Sequence, residues 1–146
     1  MKRWINQVGF FVSCLLLLWG SAAGAADAIS KTDAKAIHIA VQSQLDAFLN
    51  DDAISAFELA TSSTRAQIGT PDRFLRLVKE QYGAIYRHRV AIFTKPEMVD
   101  GNTIQTVRLT DRDGLVWVAL YKMRREPDGK WKIDGCQLFG TTSVSV

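Results

Sequence analysis

Val107-Arg-Leu-Thr-Asp-Arg-Asp-Gly-Leu-Val-Trp-Val-Ala-Leu-Tyr121 decides the fold. Two apolar runs of strand length flank Asp111-Arg-Asp-Gly114, whose residue types make a tight hairpin turn. Similar punctuation stands on either side, at Asp100-Gly101-Asn102 and at Pro127-Asp-Gly129. The spacing predicts four antiparallel strands joined as a meander, over residues 87–99, 103–110, 115–126 and 130–139. Pro96 lies inside the first of them, where it predicts a bulge or bend.

Toward the N-terminus the apolar period changes from two to 3.6. Ala34, Ile37, Val41, Leu45 and Phe48 share one arc of a helix at about 100° per residue, capped by Ser30 and ending near Asn50. Asp51 or Asp52 caps a second helix carrying Ile54, Phe57 and Ala60, after which Thr61-Ser-Ser-Thr64 loosens the chain. A third begins at Thr70, with Pro71 in the first turn and Asp72 at the positive end of the helix dipole. Phe74, Leu77, Val78 and Tyr82 form its apolar face, and Gly83 is the expected left-handed stop.

Three helices followed by a four-stranded antiparallel sheet make an α+β domain with the helices on one sheet face. The 115–126 strand is apolar on both faces, with Trp117, Ala119 and Tyr121 alternating against Val116, Val118 and Leu120. The helices cover one face only. The other is expected to curl inward or to form a homodimer.

The extreme N-terminus has the order of a secretory signal: Lys2 and Arg3, an apolar stretch from Val8 to Trp19, and small residues through Ala26. The stretch is too short and too interrupted for a permanent membrane anchor. This divides the chain into a signal peptide, residues 1–25, and a single domain, residues 26–146. Cys14 would leave with the signal, so Cys136 remains alone and no intramolecular disulfide is expected. The formal charge of +3, from 18 basic and 15 acidic residues, drops to +1 once Lys2 and Arg3 are removed. The bases are also scattered, which argues against nucleic acid as a partner.

Motifs that carry chemistry are few. His88 lies between Arg87 and Arg89, a setting typical of a solvated sheet edge. Two distant histidines and one cysteine lack the spacing of a transition-metal site. Asp111-Arg-Asp-Gly114 resembles the start of a calcium loop, but Lys122 stands where a bidentate glutamate is needed. No glycine-rich phosphate loop links a strand to a helix, so no cofactor is expected. Cys136 has no neighbouring base and reads as a buried small hydrophobe. Ser62 and Ser63 lack a nucleophile elbow.

Leu45-Asp-Ala-Phe48 with Asp51-Asp52, Thr70-Pro-Asp-Arg-Phe-Leu75, Val107-Arg-Leu-Thr-Asp111, Trp117-Val-Ala-Leu-Tyr121 and Pro127-Asp-Gly-Lys-Trp131 with Gly135-Cys136 together resemble an exported bacterial family classed as a domain of unknown function. The resemblance covers nearly all of the domain and implies a periplasmic location. It further implies the cone-shaped nuclear transport factor 2-like, or cystatin-like, fold, in which helices and a curved sheet enclose a pocket. Such a frame hosts isomerases, dehydratases and noncatalytic binders alike, so fold does not choose function.

In such a cone, His38 is expected beside Val41 and Leu45 on the pocket side of the first helix, where an imidazole moves protons near neutral pH. No paired acid is identifiable from spacing, which favours the plainer reading of a histidine hydrogen-bonded at the core margin. Tyr82, Tyr86 and Tyr121 are candidate phenol donors for acid-base chemistry. Asp134 is expected to face away from the side of the sheet carrying Trp131, Ile133 and Gly135. Two functions follow: a noncatalytic domain that binds a small apolar or amphipathic molecule or a protein, and an isomerase- or dehydratase-type enzyme acting through His38 with Tyr82 or Tyr121.

Overall fold

A computed structural model describes residues 28–141. The expected signal peptide, Cys14 and the start of the domain at 26–27 lie outside the described residues. Within them, no helix is long and apolar enough to cross a membrane.

The chain forms helices first and an antiparallel sheet afterwards, an α+β arrangement. Helix α1 spans Lys31–Leu49. It starts where the Ser30 side chain accepts a hydrogen bond from the Asp33 amide at 3.0 Å. Its apolar arc is buried at Ile37, Val41, Leu45 and Phe48. Helix α2, Ala53–Glu58, is capped by Asp52, whose carboxylate accepts from the Ser55 amide. Asp51 instead takes a positive φ of 50° and turns the chain between the two helices.

Two short helices join the expected three. Thr61-Ser-Ser-Thr64 does not loosen the chain. Thr61 caps α3, Ser62–Ile68, by accepting from the Thr64 amide. Helix α4, Pro71–Gln81, starts with Thr70 accepting from the Arg73 amide, as its signals require. Gly83 does not stop it in a left-handed turn. Tyr82 leaves the helical region at φ −129°, ψ 51°, and Gly83 opens α5, Gly83–Tyr86.

Five strands replace the expected four, because the 87–99 segment is interrupted rather than bent before Pro96. It divides into β1, His88–Phe93, and β2, Glu97–Val99. Proline has no amide hydrogen to give to the ladder. Both pieces pair with the same edge of β3, Asn102–Asp111, through Phe93↔Val107 and Glu97↔Ile104. Strands β4, Val116–Arg125, and β5, Trp131–Gly140, complete the order β1-β3-β4-β5. Between β2 and β3, Asp100 and Gly101 both have positive φ, as a two-residue hairpin of mirror-image turn type requires.

The inner sheet face carries Val107, Leu109, Ala119, Tyr121, Met123 and Ile133, all buried in one cluster with Ile37, Val41, Leu45 and Phe48 of α1 and Ile85 of α5. Phe48, 1% exposed, meets Phe74 edge to face at 5.6 Å and 61°. Full burial of one such side chain contributes roughly 2 to 3 kcal/mol.

Two irregularities shape the site. In β5 the register jumps from Lys122↔Gly135 to Met123↔Ile133, which leaves Asp134 as the extra residue of a bulge. At the free edge of β5, the Ile133 amide donates to the Leu59 carbonyl and the Thr61 amide to the Ile133 carbonyl, both at 2.9 Å. Ala60 thereby forms a parallel bridge with Ile133. Segment 59–61 covers that edge and sets α3 beside it.

Candidate functional site

A cavity of about 270 Å³ lies between the helices and the inner faces of β4 and β5. Helix α1 contributes Gln44 and Phe48, α3 contributes Thr64, Gln67 and Ile68, and α4 contributes Phe74, Leu77 and Val78. Tyr82 and Ile85 follow from the α4–α5 junction, and Tyr121, Ile133, Asp134 and Cys136 from the sheet. The wall is mostly aliphatic and aromatic with a few polar groups, as small-molecule sites commonly are.

Cross-strand register builds the sheet side. Gln105 pairs with Tyr121, and Tyr121 with Cys136, so three polar side chains stand in one row on the inner face. Gln105 is fully buried and its Nε2 donates to the Thr94 and Thr106 carbonyls at 2.8 and 2.9 Å. Tyr121 is also fully buried, and its hydroxyl has no partner of full hydrogen-bond geometry among the described residues, only the weak company of the Cys136 thiol. A buried polar group left in that state costs about 1 to 3 kcal/mol.

Burial pushes the Tyr121 phenol well above its ordinary value, with the neighbouring Cys136 thiol adding to the shift. Cys136 remains partly exposed as a residue, yet packing around its thiol pushes it up to about 12. Both groups therefore stay protonated at neutral pH: a phenol donor and a thiol, not a phenolate and a thiolate.

Asp134 anchors α3. Its carboxylate accepts from the Thr61 hydroxyl at 2.9 Å and meets Arg124 at 3.0 Å and Lys122 at 3.8 Å. The Thr64 hydroxyl donates to the Asp134 carbonyl at 3.1 Å. The acid of the cavity wall is thus neutralised by two bases of β4. No Lys, Arg or His lines the cavity among the described residues.

The candidates from the sequence do not converge. Tyr82 and Tyr121 line the cavity, but His38 does not. It is exposed and stacks on Phe93 of β1, with ring centroids 4.0 Å apart. One residue beyond the fully buried Ile37, it is rotated about 100° out of the apolar arc, which corrects its expected place on the pocket side. Tyr86 is committed elsewhere: its hydroxyl donates to the Asp51 carboxylate, and Arg87 lies over its ring. His88 is partly buried on β1 and held below the ordinary histidine value by that burial, away from the cavity.

The Asp111 turn is also consumed locally. Its carboxylate accepts from the amides of Asp113 and Leu115 and from the Trp117 indole, each at 2.9 Å. Among the described residues no group of three His, Cys, Asp or Glu side chains is placed to hold a metal ion.

Thr64, Gln67 and Gln44 escaped the sequence reading. A threonine at position 61, three residues before Thr64, is the usual N-cap spacing and marks α3. Nothing in β5 announces a bulge at Asp134. A search among curated proteins finds no match. The family model described as Domain of unknown function (DUF4864) matches residues 30–146, the whole of the helix-and-sheet unit, and the chain belongs to that family.

Proposed function

We propose that this chain is an exported, noncatalytic binding domain that holds a small apolar or amphipathic molecule between its helices and its sheet. The frame would be the cone-shaped nuclear transport factor 2-like one, and the compartment the periplasm. The observation that carries this reading is the 270 Å³ cavity with its largely apolar wall. Such a wall offers apolar area for a ligand to bury.

Acid-base catalysis has less support. It needs two groups of matched and complementary pKa within reach of one substrate. Here the imidazole of His38 stands outside the cavity, and burial raises both Tyr121 and Cys136 away from neutrality.

The open sheet face supports the companion proposal of a homodimer. Val90, Ile92 and Phe139 are about half exposed there. Ile92, Arg108, Val118 and Phe139 form one cross-strand row, and an apolar surface of this kind is commonly an interaction surface.

Native mass spectrometry of the protein, purified gently from the compartment to which it is sent, tests the reading. The expected result is a reproducible added mass that is lost on denaturation. Protein that is consistently free of ligand, and that fails to retain apolar compounds added in excess, would overturn it.

A further inference from the structure

We infer that the molecule held in the cavity is uncharged and carries a hydroxyl or N–H group on an apolar body, and that this group donates to the side-chain Oε1 of Gln44. The inference rests on the binding reading above and names the chemistry of its ligand.

Gln44 stands where an apolar residue is expected. It falls on the buried arc of α1, three residues after Val41 and four before Phe48, which are 0% and 1% exposed. At 3% exposed it is buried with them, and it forms part of the cavity wall. An amide removed from water needs partners for both of its ends. One end has its partner, because Nε2 donates to the Ala56 carbonyl at 3.1 Å. That bond also fixes which end is which, since a carbonyl can be met only by the NH2 group.

The other end is unspent. Gln44 Oε1 accepts no hydrogen bond among the described residues, yet it is not sealed in. The sealed side-chain atoms that lack a partner there belong to His88, Gln105 and Tyr121. An acceptor that is unpaired, still accessible and carried by a buried residue of the wall is a contact for what enters the cavity. The remaining polar groups are otherwise engaged. Thr64 gives its hydroxyl to the Asp134 carbonyl, the Asp134 carboxylate is taken by Thr61, Arg124 and Lys122, and Gln67 and Tyr82 are exposed enough for water to serve them.

Charge narrows the class. The cavity wall holds no cationic side chain among the described residues, so an anion entering it would be desolvated without a counter-charge. An ammonium group would find only the Asp134 carboxylate, where two bases of β4 already stand. A neutral alcohol, phenol or secondary amide supplies the donor without that ionic cost.

Size follows from the volume. An apolar cavity of ~150 Å³ accommodates benzene. About 270 Å³ is nearly twice that, enough for two fused rings. Phe48, Phe74 and Ile133 supply the apolar contacts for such a body.

Three probes on one skeleton test the inference: naphthalene, 2-naphthol, which adds a donor, and 2-methoxynaphthalene, which keeps the oxygen and loses the proton. Each is titrated into the purified protein and into Gln44→Met by fluorescence, and the side-chain carbonyl carbon of Gln44 is followed by carbon-13 NMR. The wild-type protein is expected to hold 2-naphthol about tenfold more tightly than 2-methoxynaphthalene, with the Gln44 carbon moved downfield of its place in the naphthalene complex. Gln44→Met is expected to erase the preference and to keep the binding of naphthalene. If wild type binds naphthalene but shows no preference for 2-naphthol, or an unmoved Gln44 carbon, or if the preference survives in Gln44→Met, the donor inference is overturned while the binding reading stands. Failure of all three probes to bind would overturn the two together. The affinities and the carbon signal in wild type decide the matter even where the variant folds poorly.

Discussion

The indole Nε1 of Trp131 donates to the Asp33 carboxylate at 3.1 Å and thereby ties the first turn of α1 to the first residue of β5 across 98 positions of chain. Arg125 pairs with the same carboxylate and lies 5.2 Å over the Trp131 ring. The Trp131 hydrogen bond is the first cause holding Asp33 below the usual carboxylate range. The Tyr86 and Trp117 side chains do the same for Asp51 and Asp111.

Carboxylates lowered in the folded state make the domain acid-sensitive. Their stabilisation is complete above the unfolded carboxyl range, near pH ~4, and is lost as pH falls through the lower folded values. Melting temperatures are expected to hold level from neutrality to about pH 5 and to drop steeply below about pH 4. Trp131→Phe and Trp117→Phe together are expected to make the acid limb shallower. Melts with the same acid slope as wild type would refute that account.

Asp134 fixes α3 against β5, and α3 has no buried residue of its own to hold it there. Asp134→Ala removes the partner of Thr61, Arg124 and Lys122, with an expected loss of about 2 kcal/mol by urea denaturation. Limited proteolysis should then cut within residues 62–70 faster than in wild type. An unchanged cleavage pattern would mean that segment 59–61 holds α3 alone.

Cys136 should be slow to react. A thiol raised to about 12 carries roughly a thousandfold less thiolate at pH 8 than one at 9. Alkylation of the native protein by iodoacetamide is expected to be slow at that pH, to accelerate toward strong alkali, and to become fast in denaturant. Mass spectrometry of quenched samples follows it. Rapid labelling of the native state near neutrality would contradict a packed thiol.

The open sheet face yields a prediction about mass. Phe139→Lys places a charge in the row with Ile92 and Val118, and is expected to leave the melting temperature within a few degrees of wild type while shifting a dimer to monomer in light scattering. A wild-type protein that is monomeric at high micromolar concentration would refute the dimer.

Most of the architecture was legible because it rests on strong local signals. Ser30 and Thr70 cap their helices, and Asp100-Gly101 turns its hairpin, through chemistry confined to a few neighbouring residues. The arc from Ile37 to Phe48 follows from helical geometry alone. What could not be read depends on partners far along the chain. The pairing of segment 59–61 with Ile133 joins residues 73 positions apart at Thr61 and Asp134, and it gives α3 its role in the cavity wall. His38 was misplaced for a related reason: its periodicity left it at the margin of the apolar arc, and only the position of Phe93 settles which way that margin faces. The Asp134 bulge shifts Cys136, not Gly135, opposite Tyr121, a one-residue change that alternation cannot foresee.

The cavity wall includes Ile133, Asp134 and Cys136, all from the last described strand. Synthesis proceeds from the N-terminus, so α3 has neither its neighbouring strand nor its anchoring carboxylate until those residues have been made. The cavity is therefore completed late in the making of this domain. Were the chain exported unfolded, as proposed, its pocket would be built only after the crossing, and a ligand would be taken up in the compartment of arrival rather than in the cytoplasm.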